Sequence, residues 1–353
     1  MPEKIFANAL NQIYELGPKR LILLKNHLGG FENAWAASKQ EIEKITGLKD
    51  FNDLRKNIDP KKEWAILEKE NIKVIMPEDE NYPQKLLETP YPPAILYVKG
   101  ELPQPSALHL AVVGTRSATA YGQESCQKIV KELAQAGFVI VSGLASGIDA
   151  CAHKTAIENK AKTIAVLGSG LWEKAFYPPE NKKLAQIIAQ GNGALVSEYP
   201  YQMLATRFSF PQRNRIVAGL TTGALVVEAP EKSGALITAY LALDYNRDIF
   251  AVPGPIFSKN SAGANNLIKA GAKAVTKAED ILKEYGFEIP SSEENISLSA
   301  KEKIVLEALS QPMPVDEIIA RTALKTEEIN SILSLLEIYG LIKNNKGEVY
   351  KIH

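Results

Sequence analysis

The chain has 353 residues, with 41 Lys and Arg against 41 Asp and Glu. This length exceeds one ordinary core and predicts two or three domains, and the balanced charge excludes a protein that attracts nucleic acid through its overall field. The charge is nevertheless uneven, since residues 106–230 carry 12 basic against 8 acidic side chains and residues 291–353 carry 7 against 10. Any site for a polyanion is therefore expected in the central segment.

Two cysteines, Cys126 and Cys151, are too few for a disulfide scaffold and favour a reducing compartment. The sequence contains neither an apolar leader nor a run of about 18 apolar residues that a membrane span needs. We therefore expect a soluble, cytoplasmic protein that does not contact a membrane.

Residues 1–70 predict a domain of several short helices. Its turns at residues 16–19 and 46–49 contain Gly17 and Gly47, a pattern typical of small SAM-like or helix-hairpin-helix bundles, whose turns can hold a phosphate on their backbone amides. The commoner role of such glycines is only to terminate helices, and we favour that interpretation.

Residues 71–106 are rich in proline and predict an extended lead-in with one short strand at residues 95–98. From residue 108 onward, short apolar runs alternate with helical stretches such as residues 121–136 and 235–245. Uniformly apolar strands are buried on both faces and form parallel β-α-β units. Residues 71–290 thus predict an α/β domain with a doubly wound, mostly parallel sheet. Its strands are expected at residues 108–113, 138–141, 163–167, 194–196, 224–227 and 249–252, with a further short unit at 264–275.

The end of the chain predicts a third domain at residues 291–353, after a polar linker at 287–298. Three helical stretches (residues 301–309, 315–321 and 326–339) and a hairpin turning at 344–347 predict a winged helix. The third helix carries Glu327, Glu328 and Glu337 and no cation, whereas a helix that reads a DNA groove brings arginine or lysine to the phosphates. We therefore expect an accessory or interaction domain.

Three of the predicted strands end in glycine-rich turns. Because the carboxyl ends of parallel strands meet at one edge of a sheet, these turns predict a single phosphate-binding surface of backbone amides, hydroxyls and helix N-termini. The residues expected there are Gly114, Thr115, Arg116, Ser142, Gly143, Ser146, Gly147, Gly168 and Ser169.

The spacing of these turns argues against the common small nucleotides. The first strand is not followed by Gly-x-Gly-x-x-Gly, the second strand does not end in an acidic residue, and the Gly-x-x-x-x-Gly-Lys-Ser/Thr pattern does not occur. We therefore expect neither a dinucleotide cofactor nor nucleotide hydrolysis.

Cations and aromatic residues are interleaved near the same edge, which favours a single-stranded nucleic acid, since arginine binds phosphates and rings stack on unpaired bases. The candidates are Arg116, Lys174, Tyr177, Arg213 and Arg215, and Arg207 is a further cation of the same stretch. Phe208 and Phe210, which flank them, are predicted to be buried core residues rather than base platforms. Arg213 and Arg215 have an alternative role as a solvated helix start, which we favour less because cations oppose the dipole there.

Asp149 and His153 are four residues apart and can face each other on a helix. The pair is compatible with a general-base dyad, but a structural role is preferred, with Asp149 capping or hydrogen-bonding the glycine turn. The other histidines, His27, His109 and His353, show no metal-ligand spacing, so no metal is expected.

The segments that carry these features resemble the DNA-processing protein A family (DprA, also called Smf). They are residues 113–116 (Val-Gly-Thr-Arg), 142–153 (Ser-Gly-Leu-Ala-Ser-Gly-Ile-Asp-Ala-Cys-Ala-His), 210–220, 226–229 and 233–239. The resemblance extends from end to end and implies a small helical domain, an extended Rossmann-like core and a winged helix.

The resemblance implies a protein that is not an enzyme. It implies binding of single-stranded DNA that enters the cell in natural transformation, protection of that strand, and loading of the RecA recombinase onto it. Arg116, Lys174 and Tyr177 match positions that line the DNA pocket of the family. A homodimer is also implied, formed by the Rossmann-like domain near the end of its sheet, on a surface that overlaps the one used for RecA.

The sequence argues against two other functions. The core distantly resembles nucleotide phosphoribohydrolases of the lysine-decarboxylase-like family, but residues 229–235 read Ala-Pro-Glu-Lys-Ser-Gly-Ala in place of the Pro-Gly-Gly-x-Gly-Thr loop of those enzymes. A winged-helix transcription factor with a ligand-sensing Rossmann domain is disfavoured by the acidic tail.

Overall fold

The computed structural model describes residues 2–287, 298–309, 311–338, 341–345 and 348–351. The chain divides into two compact units, Met1–Tyr285 and Gly286–His353. The linker predicted at residues 287–298 lies almost wholly outside the described residues. None of the helices that are described is long and apolar enough to cross a membrane.

The first unit is built on one sheet, to which the described residues contribute nine strands. In chain order these are β1 (Ile72–Ile75), β2 (Leu96–Gly100), β3 (His109–Val113), β4 (Val139–Ser142), β5 (Thr163–Val166), β6 (Gly193–Ser197), β7 (Gly223–Val226), β8 (Asp248–Ala251) and β9 (Lys273–Ala274). Their order across the sheet is β1-β2-β6-β5-β4-β3-β7-β8-β9.

The winding of this sheet places a crevice beside β3. From β3 the chain adds β4, β5 and β6 in parallel on one side, then returns to add β7, β8 and β9 in parallel on the other. The doubly wound, mostly parallel prediction is therefore confirmed. In such sheets ligands bind where the strand order reverses, outside the carboxyl ends of the strands. Here that position lies at the ends of β3 and β7.

The interior of the sheet follows from strand composition. Every residue of β4, β5, β6 and β7 is buried, as uniformly apolar parallel strands require. Register pairs such as Ala111 with Val141 and Ala111 with Ala224 place small and branched side chains side by side. The strands at this edge therefore form a rigid support for the turns that follow them.

Six helices precede the sheet and pack on it. They are α1 (Pro2–Asn11), α2 (Gly17–Leu28), α3 (Phe31–Ala36), α4 (Lys39–Thr46), α5 (Phe51–Arg55) and α6 (Pro60–Lys69). Leu10 and Phe31 belong to the same buried cluster as Tyr97 of β2. The Tyr97 hydroxyl donates to Asn8 Oδ1 at 2.8 Å. The predicted helical segment thus shares a core with the sheet, and its separate domain boundary at residue 70 stays a prediction.

Gly47 ends α4 in a left-handed conformation, and its amide donates to Glu43 O at 2.8 Å. The helix-terminating role is therefore the one observed at this turn. Gly17 differs, because it stands at the beginning of α2 with a φ of +54°.

The structure corrects the interpretation of residues 71–106 as a connector with one strand. This segment contributes both β1 and β2 and a short helix, α7 (Gln84–Leu87), between them. β2 is antiparallel to β6, and β1 is antiparallel to β2. The prolines hid this arrangement because they cluster in the turns between the strands, where they leave the ladder hydrogen bonds intact.

Seven further helices complete the first unit. They are α8 (Ala120–Gln135), α9 (Ile148–Glu158), α10 (Lys182–Ile187), α11 (Ser209–Gly219), α12 (Gly234–Asp244), α13 (Ala262–Lys269) and α14 (Glu279–Leu282). Thr119 caps α8 by accepting from the amide of Gly122, and Glu228 accepts from both the amide and the hydroxyl of Thr119. The buried carboxylate after β7 therefore anchors the helix that follows β3.

The second unit is a winged helix, as predicted. Its elements are α15 (Ala300–Ala308), β10 (Met313–Pro314), α16 (Val315–Thr322), α17 (Thr326–Ile338), β11 (Ile342–Asn345) and β12 (Glu348–Lys351). The strands form a sheet in the order β10-β12-β11. Val305, Ile318, Leu336 and Val349 share one buried cluster. Tyr339, and Lys346 and Gly347 in the predicted turn, lie outside the described residues.

Candidate nucleic-acid interface

The turns after β3 and β4 are locked against each other by close backbone packing. A Cβ added at Gly114 would lie 2.5 Å from Ile148 Cγ1 and 2.9 Å from Glu228 O. Gly147 has a φ of +76° and faces the carbonyl of Thr115. The Thr115 amide donates to Glu228 O at 2.7 Å. Glycine is therefore required at both turns, which brings the ends of β3, β4 and β7 together.

Asp149 stabilises the turn after β4 from inside. Its Oδ2 accepts hydrogen bonds from the amides of Gly143 at 3.1 Å and Ala145 at 3.4 Å. This confirms the structural role preferred for Asp149. The Gly143 amide is consequently occupied by a carboxylate and is not available to a phosphate.

Arg213 of α11 is a buried cation behind the same turn. Its Nη1 donates to Val166 O at 2.5 Å, and its guanidinium packs directly on the backbone of Gly143. Burial lowers the pKa of Arg213 and raises the pKa of Asp149, while the attraction between the two charges opposes both shifts. Arg213 thus fixes positive charge beneath the turn rather than at a solvated helix start.

His153 does not pair with Asp149. The Thr163 hydroxyl donates to Ile140 O at 2.6 Å, so the ring of His153 donates from Nδ1 to Thr163 Oγ1 at 2.7 Å. Burial lowers the pKa of His153 to about 3. The ring is therefore a neutral core group, and the dyad is excluded. Among the described residues, no group of three or more His, Cys, Asp or Glu is placed to hold a metal ion.

An open cavity of about 690 Å³ lies over these turns at the reversal of strand order, and we call it the glycine-edge groove. It is lined by the turn after β3 (residues 113–116), the turn after β4, Tyr177, the first half of α11 and the loop after β7 (residues 230–235). This is the position that the winding of the sheet specifies for a ligand.

Two aromatic rings and a cation meet in the glycine-edge groove. The ring centroids of Tyr177 and Phe210 are 5.7 Å apart, and the guanidinium carbon of Arg116 lies 5.2 Å from the centroid of Phe210. Arg116 is exposed, and Tyr177 is 52% exposed. The rings are supported by protein on one side and reachable from solvent on the other.

The prediction that Phe208 and Phe210 are core residues is wrong for Phe208 and only half right for Phe210. Phe208 is 58% exposed, beneath the guanidinium of Arg207 at 4.7 Å. Phe210 is half-buried and packs on Gly168, where an added Cβ would lie 3.0 Å from its ring. Phe208 immediately precedes the first turn of α11, a position at which the chain has left the sheet core.

The structure brings six of the predicted site residues together in the glycine-edge groove: Gly114, Thr115, Arg116, Gly143, Tyr177 and Arg213. The other predicted residues do not line it. Ser142 and Ser169 are buried and donate to Val112 O and Gly170 O, and the Ser146 hydroxyl donates to Glu180. Gly147 and Gly168 act in packing.

Lys174 and Arg215 also lie outside the groove lining. The Lys174 ammonium is 5.3 Å from the ring centroid of Trp172 in a 3₁₀ turn. Arg215 forms an ion pair with Glu198 and donates to Tyr91 O at 2.8 Å. Arg213 and Arg215 are two apart on one helix, so their side chains diverge to different faces.

The predicted site residues did not include Arg207 or any residue of the loop after β7. Lys232 and Ser233 of that loop line the groove together with Arg207. The strand order would have predicted this loop as part of the site. Because β7 pairs with β3, the loop that follows β7 lies at the same crevice. That order depends on long-range pairing and is not visible in the local pattern.

Comparison with known proteins agrees with this architecture. Residues 73–286 match the DNA recombination-mediator protein A family model, and residues 290–348 match the DprA winged helix domain. Protein Smf of Synechocystis sp. is 33% identical over an alignment of 395 residues that covers 99% of this chain and 98% of that protein.

Two solved structures are similar over most of their length. DNA processing protein A from Streptococcus pneumoniae is 34% identical, with a TM-score of 0.68, and covers 80% of this chain and 99% of its own. DNA processing protein A from Helicobacter pylori, solved for its single-stranded DNA binding mode, is 30% identical, with a TM-score of 0.53, and covers 61% of this chain and 95% of its own. Because the family model matches more than half of the chain, the chain belongs to the DprA/Smf family of DNA-processing proteins.

Proposed function

We propose that the glycine-edge groove binds single-stranded DNA. The observation that carries the proposal is the meeting of Arg116 with the rings of Phe210 and Tyr177 at the reversal of strand order. A base stacked on an exposed ring of this kind contributes about 1–3 kcal/mol. The Helicobacter pylori relative, which is described by its single-stranded DNA binding mode, supports the same ligand class.

The phosphates of the strand are assigned to the exposed cations around the rings. Arg116 lies over the ring of Phe210, and Arg207 and Lys232 also line the groove. Behind them lies the buried Arg213, whose charge is offset by the neighbouring carboxylate of Asp149, so the exposed cations supply the net positive charge of the groove. Arginine can bind a phosphate through two parallel hydrogen bonds, whereas lysine acts as a point charge.

The groove favours a single strand over a duplex for a geometric reason. Stacking on Tyr177 and Phe210 requires a base with a free face, which a paired and stacked duplex does not offer. The phosphate contacts alone are indifferent to pairing. Selectivity is therefore assigned to the rings, and most of the salt-dependent affinity to the cations.

We further propose a homodimer, formed by an apolar surface at the β8–β9 end of the sheet. Ile237, Tyr240 and Leu243 of α12 are between 38% and 62% exposed, and Ile256 and Phe257 in the loop after β8 are 82% and 95% exposed. A contiguous exposed apolar patch marks an interaction site, and the three side chains of α12 are spaced to lie on one face of that helix. Two grooves in one dimer would engage one strand with higher avidity than either alone.

We also propose that the protein protects the bound strand and loads RecA onto it, as the resemblance to the family implies. The apolar surface on α12 is close in sequence to the loop that lines the groove, since Ser233 and Gly234 belong to the groove and start α12. A recombinase that docks on α12 would therefore meet the strand as it leaves the groove. The winged helix is assigned an accessory role, because α17 begins with Glu327 and Glu328 and has no cation.

The test is a titration of the full chain with oligo-dT and with the matched duplex at two salt concentrations. We expect strong preference for the single strand, and weaker binding of it at the higher salt because the contacts release counterions. Equal affinity for the duplex would contradict the assignment of selectivity to Tyr177 and Phe210.

A further inference from the structure

A second cavity, of about 500 Å³, lies between the N-terminal helices and the sheet, and we call it the N-terminal cavity. It is separated from the glycine-edge groove by α11, since Gln212 and Arg215 line the cavity whereas Arg213 and Asn214 line the groove. Its volume is in the range of sites that hold small ligands, about 300–1,000 Å³. No contact described for the groove uses it.

The walls of the N-terminal cavity suit a flat, largely apolar group. Buried Ile13, Leu16 and Ile95 line it. Tyr14 and Tyr91 also line it, yet they are 63% and 52% exposed. Two tyrosine rings that face a cavity without being packed into the core offer stacking surfaces to a ligand.

Cations stand beside these rings. Lys19 and Arg20 line the cavity from the first turn of α2, and Lys19 Nζ lies 3.9 Å from the ring centroid of Tyr91. The first turn of α2 contains no acidic residue and has no side-chain cap. The partial positive charge of the helix start and the two side chains therefore favour an anion next to the aromatic surface.

A buried ion pair adds a specific polar edge. Glu198 and Arg215 line the cavity as a pair, with side chains only 6% and 16% exposed. Arg215 is also held by Tyr91 O at 2.8 Å, so the carboxylate of Glu198 has a fixed position. A fixed carboxylate accepts a hydrogen bond from an exocyclic amino group, as it does from cytosine.

We propose that the N-terminal cavity binds one nucleotide unit, with its base stacked on Tyr91 or Tyr14, an exocyclic amino group at Glu198, and its phosphate at Lys19 and Arg20. The unit is either a free nucleoside monophosphate or a nucleotide of a bound strand. Arg20 donates to Glu15 O at 2.6 Å and Arg215 pairs with Glu198, so the polar groups are held in place before a ligand binds. An uncharged apolar ligand would fill the walls but would make no contact with the two cations or with the carboxylate. The proposal does not depend on the function proposed for the groove.

The first arm of the test is calorimetric titration of the full chain with dCMP, dTMP and inorganic phosphate. Saturable binding is expected for dCMP, weaker binding for dTMP, which has no exocyclic amino group, and weaker still for phosphate alone. Tyr91→Ala should weaken dCMP binding at least about fivefold, the low end of one lost stacking contact, and Tyr91→Phe should retain it. Lys19→Ala should also weaken dCMP binding, because it removes a cation from the phosphate.

Matched controls separate the cavity from the groove. Leu23 of α2 is 41% exposed and does not line the cavity. Leu23→Ala should therefore change dCMP binding less than about twofold. Arg116→Ala should likewise leave dCMP binding unchanged. Loss of dCMP binding in Arg116→Ala, with binding intact in Tyr91→Ala and Lys19→Ala, would place the nucleotide in the groove and overturn the proposal.

The second arm identifies the source of the nucleotide with oligonucleotides of about 4 and about 20 residues, at the lower limit of the length one site covers and above its upper limit. If the strand supplies the unit, Tyr91→Ala weakens only the longer oligonucleotide; if the free nucleotide is the ligand, it weakens neither and affects dCMP alone. Absence of saturable dCMP binding, together with unchanged affinity for the longer oligonucleotide in Tyr91→Ala, would overturn the proposal. Oligonucleotide binding that is unaffected by Arg116→Ala would instead contradict the function of the groove alone.

Discussion

The guanidinium carbon of Arg116 lies 5.2 Å from the centroid of the Phe210 ring. The two residues come from segments almost a hundred positions apart, the turn after β3 and the first turns of α11. Tyr177 joins them from the segment that follows β5, with its ring centroid 5.7 Å from that of Phe210. This cluster turns a glycine-rich strand edge into a surface that has both charge and stacking area.

Replacing Tyr177 by alanine should weaken binding of single-stranded DNA by about 1–3 kcal/mol, because one stacking surface is lost. Tyr177→Phe keeps the ring and should bind nearly as well as the parent. Fluorescence anisotropy with labelled oligo-dT measures both. If alanine and phenylalanine behave alike, the ring of Tyr177 is not a base platform.

Replacing Gly114 by alanine should destabilise the fold by about 1–3 kcal/mol, since the new methyl group overpacks a filled site. The added Cβ would meet both Ile148 and the carbonyl of Glu228. Gly234→Ala is the matched control, because no atom lies within 4 Å of a Cβ there. Thermal melting compares the two, and an equal melting temperature would show that the turn after β3 can yield.

His153 should make stability depend on pH. Burial lowers its pKa from 6.5 to about 3, so the unfolded chain binds more protons than the folded chain between these values. The stability contributed by the neutral ring is fully present above pH 6.5 and is lost as the pH falls toward 3. Between pH 7 and pH 5 the free energy of unfolding should fall by about 2 kcal/mol.

Urea denaturation at the two pH values checks this prediction. His109 contributes with the same sign, since burial also lowers its pKa. His153→Gln removes one titrating ring and should therefore reduce the dependence without abolishing it. An undiminished slope in the variant would mean that His153 titrates normally in the folded protein.

Local patterns were sufficient for the parallel strands of the sheet. The runs that became β4, β5 and β7 are mostly apolar and end in turn residues, and the structure buries each of them fully. β1 escaped the prediction because it is only four residues long, Ile-Lys-Val-Ile, and lies inside the proline-rich segment. A strand that short is fixed by its pairing with β2, which is a long-range contact.

The sequence predicted the site residues whose position depends on the backbone at a strand end. It did not predict those whose role depends on the direction of the side chain. Gly114 and Arg116 follow directly from a strand end, so their place at the crevice was foreseeable. The sequence alone does not tell that Arg213 turns inward to Val166 while Arg215 turns to Glu198. Hydroxyls such as that of Ser142 were equally ambiguous, because a buried hydroxyl takes the nearest carbonyl.

Removing residues 291–353 should leave most affinity for single-stranded DNA. The winged helix has its own buried cluster, and its helix α17 offers no cation to a phosphate. The truncated chain and the full chain are compared by the same anisotropy titration. A loss greater than about tenfold would show that the second unit contributes to the strand site, since that factor corresponds to about 1.4 kcal/mol.

The central claim is that Arg116 binds the strand, and it is tested by titrating oligo-dT against Arg116→Ala and Lys128→Ala over a range of salt concentrations. Lys128 is an exposed cation of α8 outside the groove, so both variants remove one positive charge. We predict at least about a tenfold loss for Arg116→Ala and a salt slope smaller by about 0.7, with little change for Lys128→Ala. Equal affinities in the two folded variants would contradict the account.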